Sequence, residues 1–197
     1  MWSLTAASAS YESYTIEALP ANCARFCKSV DKNDFYSTTN LMNIAATSEP
    51  ETFKLSVPKG NVGGTRVTAV DSNNTDGEEV VKGVPIDTLN LPMNRPVVMK
   101  LDVEGHELQA LLGAMNYLKN TNIVYAMMEL RPNLHKESQW EEIFGILTSK
   151  GLKPYRLDYG EETLLDVNRL HDWKHFKHPI VRYYDVAWRL DNFVRNS

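Results

Sequence analysis

Residues 97–107 read VVMKLDVEGHE, and four of them carry groups that could do chemistry on one short turn: Asp102, Glu104, His106 and Glu107. Carboxylates and imidazoles are the usual side chains for taking a proton from a bound hydroxyl, so Asp102, Glu104 and His106 are the candidate catalytic residues. Glu104 and Glu107 also suit a helix amino terminus, where an acid stabilises by ~0.3–1 kcal/mol without any catalysis. Asp102, Glu104 and Glu129 could offer hard oxygen ligands to a divalent ion, but acids scattered over strand ends do not demand one, and no metal is expected. His171, His175 and His178 share a helical spacing, yet Trp173 and Phe176 beside them read as a packed surface segment. Cys23 and Cys27 stand four apart on one helix face, a spacing that strains a disulfide and gives too few ligands for zinc. They read as reduced thiols.

The elements that must position these groups follow from the hydrophobic pattern. Residues 97–101 do not alternate apart from Lys100, as expected of a parallel strand covered on both faces. The acids at its carboxyl end then lie where open α/β sheets keep their ligands. Gly105 permits a sharp turn, and Leu108, Leu111, Leu112, Met115 and Leu118 predict a single helix over 106–119. Upstream, residues 1–9 form an uncapped helix, 14–17 a strand ending in Glu17, and Pro20 opens a helix over 21–30. Residues 41–46 read as one buried strand, 52–57 as its neighbour, and 79–89 as an extended segment. Gly60, Gly63 and Gly64 mark a loop, without the strand, helix and Lys-Ser or Lys-Thr that a phosphate loop needs. Asn73-Asn74-Thr75 reads as surface loop. Downstream come a strand over 123–130, a helix opened by the capping box of Ser138 and Glu141 and stopped by Gly151, and final strands over 152–158 and 182–190. The order predicts a doubly wound α/β fold whose mostly parallel sheet ends in a reversed last strand.

At 197 residues and 22.4 kDa, the chain suits a single domain over 1–197. A net charge of -4 and a pI near 5.7 supply no cationic field for phosphate backbones, so nucleic acid is not an expected partner. No run approaches the ~20 apolar residues of a membrane helix, and the start lacks a basic segment followed by an apolar one, so the expected compartment is the cytoplasm.

The run VMKLDVEGHELQALLGAMNYL, residues 98–118, resembles the signature of FkbM-type methyltransferases: lysine, a hydrophobic residue, Asp, a hydrophobic residue, Glu-Gly, then an acid and a helix with Leu and Gly-Ala. The resemblance extends to YTIEALPANCA at 14–24, to residues 43–47, to Asp-Thr-Leu within 85–91 and to residues 128–132. It implies a class I methyltransferase Rossmann-like domain that uses S-adenosylmethionine to methylate a hydroxyl on a small molecule, sugar or lipid. It further implies that Glu17, at the end of the second strand, binds the cofactor's ribose hydroxyls, that Ala45 and Ala46 lie by the adenine, and that Asp102 faces donor and acceptor.

In that family a first strand and a glycine loop come before the helix that residues 1–4 match. The expectation is therefore an amino-terminally truncated domain that binds S-adenosylmethionine weakly by itself. The competing expectation is an inactive Rossmann-like remnant serving as a binding module. A dinucleotide-dependent oxidoreductase would also want an acid after the second strand, but the Asp102–Glu104 turn favours methyl transfer.

Overall fold

A computed structural model describes residues 2–60, 64–70, 79–130, 137–158, 161–167 and 184–191. The Asn73-Asn74-Thr75 loop and the histidines at 171, 175 and 178 lie outside the described residues. The chain divides into two compact units, Met1–Leu91 and Pro92–Ser197.

In the first unit, helix α1 (Trp2–Ser8) packs on a parallel pair formed by β1 (Ser13–Ile16) and β2 (Thr39–Met42), in register from Ser13 with Thr39 to Ile16 with Met42. The Thr15 hydroxyl donates to Ser3 Oγ at 2.6 Å and ties helix to strand. Helix α2 (Pro20–Asn33) joins the two strands. Pro20 sits in its first turn, where the missing amide hydrogen costs nothing, and Asp34 ends it in the left-handed region at φ 55°. The run expected as one strand over 41–46 breaks at Asn43, and β3 (Ala45–Ala46) enters a different sheet. Asn43 explains the break: its amide turns back to the carbonyls of Glu17 and Ala18, both at 2.9 Å.

That second sheet also contains β4 (Glu51–Ser56), β5 (Arg66–Ala69) and β6 (Val80–Val84), in the order β3-β6-β4-β5. Among the described residues, only the β3–β6 pair within it is parallel. Alternation along β4 sends Phe53 and Leu55 inward to join Leu19, Ala45 and Val81 in a core. The extended segment expected over 79–89 is β6 followed by a 3-10 turn at Ile86–Thr88, where the Thr88 hydroxyl donates to the Pro85 carbonyl at 2.8 Å.

The second unit is built on a five-stranded sheet of β7 (Pro96–Leu101), β8 (Asn122–Leu130), β9 (Lys153–Asp158), β10 (Glu161–Leu164) and β11 (Tyr184–Arg189), ordered β10-β9-β11-β8-β7. The β7–β8 pair is parallel, and β11 runs antiparallel to both β8 and β9. β11 is the reversed strand that the element order predicts, and β10, antiparallel to β9, is a second that it does not. The expected single, mostly parallel sheet takes a different form among the described residues: a parallel pair and two sheets of mixed direction, with parallel pairing confined to β1–β2, β3–β6 and β7–β8.

Three local expectations also change. Val98 is 59% exposed, so β7 is not covered on both faces; it stands at the end of its strand order and pairs with β8 alone among the described residues. The single helix over 106–119 is two, α3 (Glu107–Leu112) and α4 (Met115–Asn120). Gly113 and Ala114 take ψ values of -3° and 11°, which interrupt the helical hydrogen-bond run where a glycine already weakens it. Helix α5 (Glu137–Ser149) starts before Ser138, placing that residue inside the helix, and the chain turns off at Gly151 with φ 76°. Ile143, Phe144 and Leu147 of α5 are buried together with Trp188 of β11, whose ring meets Phe144 edge-on at 4.4 Å. No helix among the described residues is long and apolar enough to cross a membrane.

Candidate active site

Strand β7 delivers Asp102 immediately past its last residue, where Lys100 Nζ lies 3.1 Å from Asp102 Oδ2. The chain then makes a tight turn. Glu104 takes φ 55° and Gly105 φ 103°, two successive positive values of which only the second falls on a residue without a Cβ. For Glu104 the left-handed conformation costs roughly 1–2 kcal/mol.

Glu107 supplies the compensation. Its Oε1 accepts from Val103 N at 3.3 Å and from Gly105 N at 3.2 Å, while the carboxylate is 1% exposed. A protein hydrogen bond contributes roughly 0.5–1.5 kcal/mol net, so two of them are comparable to the strain at Glu104. The amide of His106 closes the turn on the Val103 carbonyl at 3.2 Å, and the His106 side chain, at the cap position of α3, makes no capping bond. Thus the three sequence candidates Asp102, Glu104 and His106 fall on one turn, with Glu104 and His106 half-buried. From sequence, the position of Glu107 suggests only a helix-terminus role. An acid directly following a Gly-centred turn was the available signal for its inward role.

The remaining candidates lie in the first unit. Glu17 follows β1 and is fixed on several sides: its amide donates to the Met42 carbonyl at 3.1 Å, and its own carbonyl accepts from Asn43 Nδ2 at 2.9 Å and Cys23 Sγ at 3.5 Å. Its side chain is oriented too, since Oε1 accepts from Leu19 N at 2.8 Å. Burial pushes the Cys23 thiol up from its ordinary pKa, and the charges of Glu17 and Cys27 add to this, so Cys23 remains a protonated donor at neutral pH. Asn43 and Cys23 were not foreseen as supports for Glu17. Ala45, expected near an adenine, is 5% exposed and packed in the Phe53 core. Among the described residues, no group of three or more His, Cys, Asp or Glu side chains is placed to hold a metal ion.

The arrangement at the end of β7 thus combines an ion-paired carboxylate, a strained acid and a histidine on a braced turn. The Methyltransferase FkbM domain family matches residues 2–154, most of the chain and all of this turn. The chain belongs to the FkbM methyltransferase family. No curated protein and no solved structure matches it. The FkbM match runs through Leu91 and Pro92, so both compact units contribute sequence to the family domain.

Proposed function

We propose that this FkbM-family chain is an S-adenosylmethionine-dependent methyltransferase acting on a hydroxyl of a small molecule, sugar or lipid, and that residues 1–197 belong to a single methyltransferase domain. The observation that carries the reading is the braced acidic turn at the carboxyl end of β7 in a chain of this family. Transfer to a hydroxyl requires an oxygen lone pair aligned on a methyl carbon and a group to receive the hydroxyl proton. S-adenosylmethionine supplies, when bound, a methyl activated by its sulfonium.

The residues present fit that cofactor at Glu17. A carboxylate accepts two donors at once, as a ribose diol demands, and this one is half-buried with its backbone and one oxygen already fixed. Ala45 would contribute to an adenine environment through its backbone, because its methyl is committed to the core. On the β7 turn, Asp102 aligns the acceptor hydroxyl, held in place by Lys100, and Glu104 or His106 receives the proton. A class I Rossmann-like fold with a reversed strand accords with β11 running against β8 and β9.

The test is release of S-adenosylhomocysteine and transfer of tritiated methyl from S-adenosylmethionine to a panel of sugars, phenols and long-chain alcohols. Asp102→Asn should abolish transfer while the fold survives, and Glu17→Gln should raise KM for S-adenosylmethionine with kcat little changed. Transfer that is indifferent to Asp102 would remove the turn from the chemistry.

A further inference from the structure

The two amides that Glu107 Oε1 accepts belong to Val103 and Gly105, the residues on either side of Glu104. Glu104 itself is the one non-glycine position of the turn in the left-handed region, at φ 55°. A backbone pinned before and after a strained residue has a fixed Cα–Cβ direction. The side chain then leaves the chain along one line rather than sampling several.

We propose that Glu107 is a positioning residue: through Val103 N and Gly105 N it sets the direction in which the Glu104 carboxylate is presented. The inference rests on the methyltransferase reading for what Glu104 does, but not for what Glu107 holds. Three features favour this over a purely stabilising role. Glu107 is 1% exposed, so its carboxylate is withdrawn from solvent. It stands at the first position of α3, where an acid could serve the helix, yet its Oε1 turns back to the preceding loop. The two bonds converge on one oxygen, so a single acceptor atom defines both amide positions.

Side-chain length is decisive in such a device. Glu107→Gln retains a carbonyl oxygen at the same reach and should keep both bonds. Glu107→Asp is one methylene shorter and should lose them while remaining an acid. Amide hydrogen exchange of the full chain, followed by NMR, reads the hold directly. Exchange at Val103 and Gly105 should accelerate at least ~10-fold in Glu107→Asp, remain near wild type in Glu107→Gln, and leave the amides of β8 unchanged in both.

A kinetic cycle reads the consequence, with tritiated S-adenosylmethionine and the best acceptor of the panel. Glu104→Gln and Glu107→Asp should each lower kcat, with KM for S-adenosylmethionine steady, and the double variant should be no slower than Glu104→Gln alone. Unchanged exchange at Gly105 in Glu107→Asp overturns the proposal. Accelerated exchange with multiplicative losses in kcat overturns it also, since Glu107 would then act independently of Glu104. If the wild-type chain transfers no methyl group, the functional reading falls, and the exchange comparison alone decides whether Glu107 holds the turn.

Discussion

The ring of Phe53 lies against the backbone of Gly83 so closely that a Cβ built on Gly83 would come within 2.3 Å of Phe53 Cε2. Phe53 is 2% exposed, and its neighbour across β6 is Val81, so the ring covers the glycine diagonally along the inward face of the sheet. No side chain fits beneath it. Gly83→Ala should therefore destabilise the fold by about 1–3 kcal/mol through overpacking. Urea unfolding measures the loss, and combining it with Phe53→Leu, which frees space at the ring, should recover part of it. Simple addition of the two losses would mean that the clash is relieved elsewhere.

Asn43 donates from one nitrogen to the carbonyls of Glu17 and Ala18. Asn43→Asp replaces that donor with an acceptor facing two other acceptors. Since the side chain is exposed, the expected loss of stability is small, on the order of 1 kcal/mol, because water solvates the separated groups. On the proposed reading of Glu17 as a cofactor-binding carboxylate, the functional effect should be larger: KM for S-adenosylmethionine rises several-fold as Glu17 loosens, and kcat stays near wild type. Steady-state kinetics with varied cofactor checks this, and an unchanged KM would separate Asn43 from cofactor binding.

Cys23 is buried and Cys27 exposed, although one helical turn separates them. With the Cys23 thiol raised by burial, then by Glu17 and Cys27, a water-soluble disulfide reagent at pH ~8 should modify Cys27 quickly and Cys23 only on the timescale of opening. The sign of the pH effect follows from the same shift. The folded chain favours the neutral thiol, so the contribution of Cys23 to stability is complete below the ordinary value of 9.0 and is lost as pH rises through the higher folded value. Unfolding free energies of wild type and Cys23→Ala between pH 8 and 11 should show a steeper alkaline fall in the wild type. Parallel curves would exclude a Cys23 contribution.

Much of this was readable in the residues. Glu17 at a strand end, the turn after Leu101, Pro20 opening α2 and Gly151 closing α5 each depend on chemistry local to a few positions, and local chemistry is what a sequence displays. What escaped it depends on partners far along the chain. Nothing near Asn43 announces that its amide will reach the carbonyls of Glu17 and Ala18 and divide one apolar run between two sheets. The exposure of Val98 likewise depends on which strands lie beside β7, information absent from an apolar run that reads as buried. Leucines that keep helical spacing on both sides of Gly113 mask the break there. For the turn, residue types single out Asp102, Glu104 and His106 only as candidates, whereas the inward orientation of Glu107 depends on the geometry of Val103 and Gly105.

The placement of β11 bears on how the molecule is made. β8 and β9 each pair with β11 and not with each other, and β11 follows both in the chain. During synthesis neither strand can fill its inner edge until β11 has left the ribosome, so the sheet of the second unit should close only once β11 has emerged, with two strand edges open in the meantime. A nascent chain arrested before Tyr184 would present those edges to other chains, and its fate would depend on whichever chaperone reached it first.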